Sequence, residues 1–420
     1  MNILLEAPIL TQSGYGEHSK HVFRSLNTFT DHTIFINPLN WGTTGWNTSP
    51  SNENSQIEQC VMNYSRASSI EGFKFDAQIH VGLANEFEKK APFSVLVTAG
   101  VETDRVSPQW LIQTHKGIDQ MVVTSEHTKS SFENSSYEIS NEGNGTKTTL
   151  ECNCPVKAVP YPIKDFDNVE LDLKLETKFN FLSIALMGAR KNQENLVRWF
   201  VEHFHDNPEV GLILKTGVSA GSIIDRNRTT IGLEHLLASY KDRLCKVYLL
   251  HGDLSESEIH SLYMRDDIHA YVTTTHAEGF GLPIFEAAYS GLPIIATDWS
   301  AHTEFLSAPS QDSERGKITN KKLFANVDYD LAPVQPEAVW EGIIVEGSQW
   351  AYPREESFKE KLQDVYENHK MYKTWAQTLK DHICKTHNKK DVMLAMVESL
   401  GFENNIKKMR VEKEEVSIYE

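Results

Sequence analysis

Glu278 and Glu286 lie with seven residues between them inside the run 275–298, THAEGFGLPIFEAAYSGLPIIATD. The interval holds a Gly-Phe-Gly turn followed by Leu282 and Pro283. Proline suits the first position of a helix, so the pattern predicts a helix that starts here, with Glu278 before it and Glu286 about one turn inside. Carboxylates accept hydrogen bonds from vicinal hydroxyls, and amides at a helix start carry partial positive charge suited to phosphate. The run therefore predicts a site for a ligand that carries both groups.

The elements that must position these residues alternate between apolar strand-like runs and helical patterns, which is typical of parallel sheets with crossover helices. The predicted strands are Ile3–Glu6, Thr33–Ile36, Ala77–Val81, Ser94–Thr98, Gln120–Val123, Val156–Val159, Phe181–Ala185, Gly211–Lys215, Lys246–Leu250, Ala270–Val272 and Pro293–Ala296. The fold class is therefore α/β, with two doubly wound Rossmann-like domains facing each other across a cleft. Ligands of such sheets bind at the carboxyl ends of the strands.

The predicted domain boundary falls at the linker Pro160-Tyr161-Pro162. It gives an N-terminal domain at 1–162 and a C-terminal domain at 163–385. A helical, charged tail follows at 386–420, with a path that can cross back to the first domain.

Three further segments have recognisable patterns. Residues 133–154 contain Asn-Gly and Gly-Asn steps between β-prone stretches, which predicts an inserted hairpin. Asn40–Glu58 is polar with two tryptophans, which predicts a long surface loop over the cleft. Glu355–Lys373 and Trp375–Lys385 are predicted amphipathic helices.

Composition restricts the class of protein. The chain has 420 residues, 40% hydrophobic residues, a net charge of −17 and five cysteines. No apolar run is long enough for a membrane span, and the start MNILLEAPIL resembles a first strand more than a signal peptide. A reducing, cytoplasmic location fits the few cysteines. The negative charge argues against broad attraction to nucleic acid or anionic membranes.

The Glu278/Glu286 run, the following segment 290–296 and the two-domain architecture resemble retaining glycosyltransferases of the GT-B fold, specifically glycosyltransferase family 4. A second patch carries the same resemblance on the acceptor side, at Val101–Arg105 and again at Val123–Lys129. The resemblance implies a nucleotide-diphosphate sugar as the donor and co-substrate. In this family the first glutamate contacts donor sugar hydroxyls and the second contacts the ribose.

Carried onto this chain, the resemblance makes Glu278 the sugar-binding and catalytic glutamate and Glu286 the ribose-binding one. A glycine-rich loop after the first strand would close over the donor diphosphate. The backbone groups implied in donor binding are those of Gly14, Gly16, Gly279, Phe280, Gly281 and Leu282.

The family usually supplies an arginine and then a lysine after the first strand of the second domain, and both neutralise the diphosphate. Lys191 matches the lysine, whereas Ala185 or a neighbour stands at the arginine position. Lys215, at a strand end, is the predicted replacement, and Arg190 is the next candidate. The alternative for Lys215 is a solvated strand end.

The resemblance implies retention by a front-side route, in which a leaving phosphate oxygen accepts the acceptor proton. No enzymatic nucleophile is evident, and Glu102 is the candidate acidic group on the acceptor side, with a loop-orienting role as its alternative. No metal and no other cofactor is required. The Asp-x-Asp matches at 165–167 and 328–330 do not follow strands, so they are interpreted as chance.

The predicted function is a hexosyl- or pentosyltransferase acting on an unknown acceptor, which can be a glycan, a small molecule, a protein or a nucleic acid. One alternative is a phage-type enzyme that glycosylates a modified cytosine in DNA. Another is a non-catalytic module that binds a nucleotide sugar or glycan. The donor base, the donor sugar, the acceptor and the oligomeric state do not follow from these residues.

Overall fold

Two six-stranded sheets, each entirely parallel, organise the chain. The structure is a computed structural model that describes residues 1–42, 44–47, 49–140, 147–219, 221–311 and 318–407. Each sheet lies in its own half of the chain, which matches the two Rossmann-like units predicted from the alternating pattern.

The first sheet has the strand order β2-β1-β3-β4-β5-β8, and β6 and β7 form a separate antiparallel hairpin within 133–154. Its strands are nearly continuous apolar runs, because helices cover both faces of a parallel sheet. The strands of this half are β1 (Asn2–Ala7), β2 (Thr33–Pro38), β3 (Ala77–Val81), β4 (Phe93–Thr98), β5 (Gln120–Val123), β6 (Tyr137–Ser140), β7 (Lys147–Leu150) and β8 (Val156–Ala158). The helices are α1 (Gly14–Phe29), α2 (Asn52–Ser68), α3 (Pro108–Thr114) and α4 (Glu126–Glu133).

The second sheet has the order β11-β10-β9-β12-β13-β16. The strands of this half are β9 (Phe179–Ile184), β10 (Val210–Lys215), β11 (Lys246–Leu250), β12 (Ala270–Val272), β13 (Ile294–Thr297), β14 (Ser307–Gln311), β15 (Ile318–Lys322), β16 (Ala325–Val327), β17 (Tyr329–Pro333) and β18 (Gln349–Pro353). The helices are α5 (Gln193–His203), α6 (Ile223–Leu237), α7 (Glu256–Tyr263), α8 (Leu282–Ser290), α9 (Glu355–Glu367), α10 (His369–Thr386) and α11 (Lys389–Ser399). The edge strand β16 and two antiparallel pairs, β14–β15 and β17–β18, were not predicted from the sequence.

Both sheets have a point at which the strand order reverses. It lies between β1 and β3 in the first sheet and between β9 and β12 in the second. Loops leaving the carboxyl ends of these neighbouring strands run to opposite faces and leave a crevice, where α/β proteins bind ligands. The topology therefore provides two such crevices, one in each half of the chain.

The prediction of a loop over Asn40–Glu58 is wrong in its second part, because α2 begins at Asn52. The side chain of Ser51 accepts a hydrogen bond from the amide of Asn54 and caps the helix, and Ile57 is fully buried. Residues that favour loops by composition here act as a helix cap and its first turn.

The end of the chain differs from prediction in one boundary. The break between α9 and α10 falls at Asn368, whose amide donates to the carbonyl of Asp364, instead of near residue 374. Helix α11 returns to the first half of the chain and packs on α1, with Met396 and Val397 fully buried in that core. Residues 408–420 of the predicted charged tail lie outside the described residues. Among the residues described, no helix is long and apolar enough to cross a membrane.

Candidate active site

The crevice of the second sheet brings together the charged residues predicted after two of its strands. Arg190 and Lys191 follow β9, and Glu278 follows β12, which is the neighbour of β9 across the reversal. They are about ninety positions apart in sequence, and they meet because parallel neighbours end at the same edge of a sheet.

Glu278 is 7% exposed and lies between two cations. Nζ of Lys191 is 2.5 Å from its Oε1, and Nη1 of Arg190 is 3.1 Å from its Oε2. Burial alone would raise the pKa of this carboxyl, but Lys191 and Arg190 lower it to about 2. Glu278 is therefore an ionised acceptor of hydrogen bonds at neutral pH, and it cannot act as a proton donor there.

Backbone contacts hold the two loops in register. Asn192 has a left-handed conformation with φ of 52°, donates through Nδ2 to the carbonyl of Thr274, and accepts at its own carbonyl from the Thr274 hydroxyl. Asparagine tolerates this conformation better than most residues. On the other side, the amide of Glu278 donates to Oγ of Ser300 at 2.9 Å, and Ser300 itself has a φ of 81°. Strained residues of this kind persist where the surrounding structure fixes them.

The start of α8 presents amides with no partner. Gly281, with a φ of 94°, forms the N-cap, and Pro283 occupies the first turn. Among the residues that the structure describes, none accepts a hydrogen bond from the backbone amides of Gly279, Phe280, Gly281 or Leu282. Buried amides are normally paired, and a helix N-terminus favours an anion. This segment can therefore bind phosphate oxygens.

The first half of the chain closes directly onto this segment. The carbonyl of Gly279 accepts hydrogen bonds from the hydroxyls of Thr124, at 2.8 Å, and Ser125, at 2.9 Å. A side chain at position 279 would approach the carbonyl oxygen of Ala99 to 2.7 Å. Only glycine allows this contact between the two halves.

Glu102, predicted from the acceptor-side patch, contributes to the same cluster. Its Oε1 lies 3.1 Å from Nη2 of Arg190, so one guanidinium spans Glu102 and Glu278. Burial opposes the charge of Arg190, but the two carboxylates raise its pKa above the ordinary value. The structure thus brings Glu102, Arg190, Lys191 and Glu278 into one network.

Glu286 lies away from that network, on the face of α8 that meets α1 and the linker. It lines a small cavity with Glu17, Tyr161 and Lys164. Burial raises its pKa to about 7, opposed by Lys164 and reinforced by Glu17. Lys164, whose Nζ is 2.9 Å from Oε1 of Glu17, was not predicted. No local sequence pattern predicts a role for Lys164, because its partners lie on helices that are distant in sequence.

Lys215 ends β10, beside the carboxyl end of β9, and is partly buried. Within the described residues it forms no ion pair. Burial lowers its pKa, and Asp253 acts in the opposite sense. It lies at the expected edge of the sheet, and no contact joins it to Lys191.

The glycines near the first strand are not in a loop, contrary to prediction. Ser13 caps α1, which begins at Gly14, so both glycines belong to its first turn. Gly16 is required by packing, since a side chain there would approach the carbonyl oxygen of Thr11 to 2.0 Å. Gly14 has open space around its α-carbon and accepts a hydrogen bond at its carbonyl from Tyr161.

In the part of the chain that the structure describes, no three His, Cys, Asp or Glu side chains are grouped so that they could hold a metal ion. The match at 328–330 does follow a strand of the second sheet, contrary to prediction, because β16 ends at Val327. Its Asp330 pairs with Arg354.

Residues 235–309, which run from within α6 to within β14, match the family model described as Glycosyl transferases group 1. The match includes Glu278, the partner-free amides and Glu286. No curated protein matches the chain.

Several solved structures share the fold over nearly their whole length. Sucrose-phosphate synthase from Thermosynechococcus elongatus is 13% identical with a TM-score of 0.60, over 95% of this chain and 98% of that one. The Anabaena protein HepE, solved with UDP and glucose, is 12% identical with a TM-score of 0.56, over 96% and 99%. Trehalose-6-phosphate synthase OtsA is 8% identical with a TM-score of 0.55, over 96% and 99%. The chain has the GT-B fold of these glycosyltransferases.

Proposed function

We propose that the chain is a retaining glycosyltransferase that moves a sugar from a nucleotide-diphosphate donor to an acceptor hydroxyl without a metal ion. The observation that carries the proposal is Glu278, held between Arg190 and Lys191 beside the partner-free amides at the start of α8. Hydroxyl acceptors, cations and helix-terminal amides are the groups that a sugar diphosphate requires. The match to group 1 glycosyltransferases covers the same segment.

Two cations and the α8 amides stabilise the leaving diphosphate in this scheme. In the free protein Arg190 and Lys191 neutralise Glu278 and Glu102. When the donor enters, phosphate oxygens compete with these carboxylates for the same cations. Preorganised charge of this kind lowers the barrier because it needs no rearrangement as negative charge develops.

Glu278 binds donor hydroxyls and stabilises positive charge at the reacting carbon. Its low pKa and its two cations make it a poor nucleophile and exclude it as an acid near neutral pH. Retention is then served by the front-side route, in which the leaving phosphate oxygen takes the acceptor proton. Glu102, which reaches the network from the first half of the chain, orients the acceptor beside that oxygen.

The decisive experiment presents the purified chain with UDP-, GDP- and ADP-sugars. Donor binding raises the melting temperature through mass action, and turnover releases free nucleotide. UDP-glucose comes first, because HepE was solved with UDP and glucose. The anomeric configuration of the product, read by NMR, decides between retention and inversion. Nucleotide binding without release for any donor would favour a binding module, and an inverted product would overturn the mechanism.

No observation favours a DNA acceptor. Trp41, one of the two tryptophans of the polar segment, stacks on Tyr15 at 4.1 Å between ring centroids, and the other, Trp46, is exposed. An exposed tryptophan alone does not indicate a base-stacking site. The net charge of −17 opposes a nucleic-acid partner.

A further inference from the structure

A second crevice lies at the reversal point of the first sheet. It is a cavity of about 280 Å³ at the carboxyl ends of β1, β2 and β3. The polar residues that line it are Glu6, Asn37, His80, Glu86, Glu88 and Lys90. Its volume lies just below the range of about 300 to 1,000 Å³ typical of drug-sized ligands, so a smaller polar molecule fits.

The buried side chain of His80 has unsatisfied hydrogen-bonding groups that face the cavity. The imidazole lines the cavity and is 4% exposed, and neither of its nitrogens has a hydrogen-bond partner in the structure. A side chain at Gly82 would approach Nε2 of His80 to 2.9 Å and Oε2 of Glu86 to 3.5 Å. Glycine therefore leaves open the space between these two groups. Buried polar groups are normally paired, so this space suits a ligand with hydroxyls.

The charge of the cavity is negative. Glu6 is fully engaged, since Lys90 donates to it at 2.7 Å and Asn37 at 2.9 Å. Glu86 and Glu88 are exposed and form no ion pair among the described residues. Burial lowers the pKa of His80 to about 4, so the ring is neutral at neutral pH. Two uncompensated carboxylates repel phosphate and accept hydrogen bonds from hydroxyls.

The cavity lies beside the end of β4, close to the residues that contact Gly279. Gly82, which faces His80 and Glu86, donates from its amide to the carbonyl of Val97 at 3.0 Å, and Oγ1 of Thr98, the last residue of β4, is 2.9 Å from the Tyr15 hydroxyl. The amide of Ala99 donates to the same hydroxyl, and the carbonyl of Ala99 faces Gly279. A molecule in the cavity therefore lies beside the strand end whose next residue, Ala99, contacts Gly279.

We propose that this cavity is the acceptor subsite and that it selects a hydroxyl-rich molecule of about monosaccharide size without negative charge. The proposal rests on the proposed transferase function and adds the chemical class of the acceptor. Glu86 and Glu88 bind hydroxyls of the acceptor and exclude its phosphorylated form.

The first test measures binding without turnover. Saturation-transfer NMR compares glucose, mannose, galactose and fructose with their 6-phosphates on the full chain. The neutral sugars are expected to bind and the 6-phosphates are not. The double change Glu86→Gln with Glu88→Gln should weaken neutral sugars about tenfold or more, because hydrogen bonds to charged groups are lost. Glu71→Gln, an exposed glutamate before β3 at the opposite edge of the sheet, is the matched control.

The second test measures acceptor-dependent turnover, which is the rate of nucleotide release with acceptor minus the rate of donor hydrolysis without it. The double variant should raise KM for the neutral acceptor about tenfold, with donor KM and donor hydrolysis unchanged. Glu86→Lys with Glu88→Lys should shift the preference toward 6-phosphates. Wild-type preference for 6-phosphates, or a double variant that binds neutral sugars normally, overturns the inference. If the wild-type protein released no nucleotide from any donor, the transferase function would be contradicted. The NMR comparison would still decide whether the cavity binds neutral sugars in preference to their 6-phosphates.

Discussion

Nζ of Lys191 lies 2.5 Å from Oε1 of Glu278, so the lysine proposed to bind the diphosphate is paired in the free protein with the glutamate proposed to bind the sugar. Burial and Arg190 lower the pKa of Lys191, and Glu278 opposes them. The pair keeps both charges in a partly buried crevice until a donor replaces the contact.

Glu278→Gln should lower kcat by about two to three orders of magnitude, the scale of one preorganised charge-stabilising group. The change should also tighten binding of the nucleotide product, because Lys191 is released to bind phosphate. Steady-state kinetics and calorimetric titration with the nucleotide measure the two effects. Unchanged kcat would place Glu278 in a structural role, and weaker nucleotide binding would contradict the competition.

Lys191→Ala and Lys215→Ala should each reduce turnover about a hundredfold if both residues stabilise the diphosphate. The double variant should cost less than the sum, because groups acting on one leaving group are not additive. Lys246→Ala, at the amino end of the neighbouring strand β11, is the matched control and should be silent. A silent Lys215→Ala would show that Lys215 does not act on the diphosphate, and that Arg190 and Lys191 are the cations that stabilise it.

Glu286 should make donor binding depend on pH. Burial raises its pKa from 4.5 to about 7, so its ionised form becomes dominant only as pH rises through about 7. This ionised form is the one that the family resemblance predicts to accept hydrogen bonds from ribose hydroxyls. Donor affinity should therefore increase across this range in the wild type and stay flat in Glu286→Gln. Titrations of donor binding between pH 5.5 and 8.5, roughly one and a half units around that pKa, measure it. A parallel pH dependence in both proteins would assign the titration to another group.

The same carboxyl should affect stability with the opposite sign. Between about pH 4.5 and 7 the folded protein binds more protons at Glu286 than the unfolded chain does, so the free energy of unfolding falls as pH rises. Glu286→Gln should remove this loss and gain stability relative to the wild type toward pH 8. Denaturant unfolding at several pH values measures the difference. A constant difference across the range would contradict the raised pKa.

Gly279→Ala should push the two halves of the chain apart next to the start of α8, because the added carbon would lie 2.7 Å from the carbonyl oxygen of Ala99. We expect turnover to fall at least tenfold, on the scale of about 1.4 kcal/mol, while the melting temperature changes little. Gly232→Ala, in helix α6 with open space around it, is the control and should stabilise slightly. Full activity of Gly279→Ala would mean that this contact is not needed for transfer.

Treatment with EDTA should leave turnover unchanged, because cations and helix amides are proposed to stabilise the diphosphate. Nucleotide release is measured before and after chelation, and again after manganese is added. Loss of activity that manganese restores would contradict the metal-free scheme and return attention to the Asp-x-Asp segments.

The sequence alone predicted eleven of the twelve strands of the two parallel sheets, because a buried parallel strand favours an unbroken apolar run. The short edge strand β16, with Asn326 at its centre, lacks such a run and was missed. The start of α8 was also predicted correctly, because the conformational preferences of Pro283 and Gly281 are local and do not depend on tertiary contacts. Glu278 was found from its position beside this helix start, and Lys191 from the resemblance to a family motif. In contrast, the polar composition around Asn52 suggested a loop, and only burial of Ile57 against the first core made the segment a helix.

The tertiary structure decided which of these residues meet. Strand order placed Lys191 beside Glu278. Glu286, one turn inside α8, instead lies beside Lys164 and Glu17. The cavity around His80 exists only because β1, β2 and β3 end together. Such contacts join residues tens to hundreds of positions apart, and local spacing carries no information about them. Electrostatics and cavities are sums over neighbours in space, so they follow from the fold and not from the order of residues.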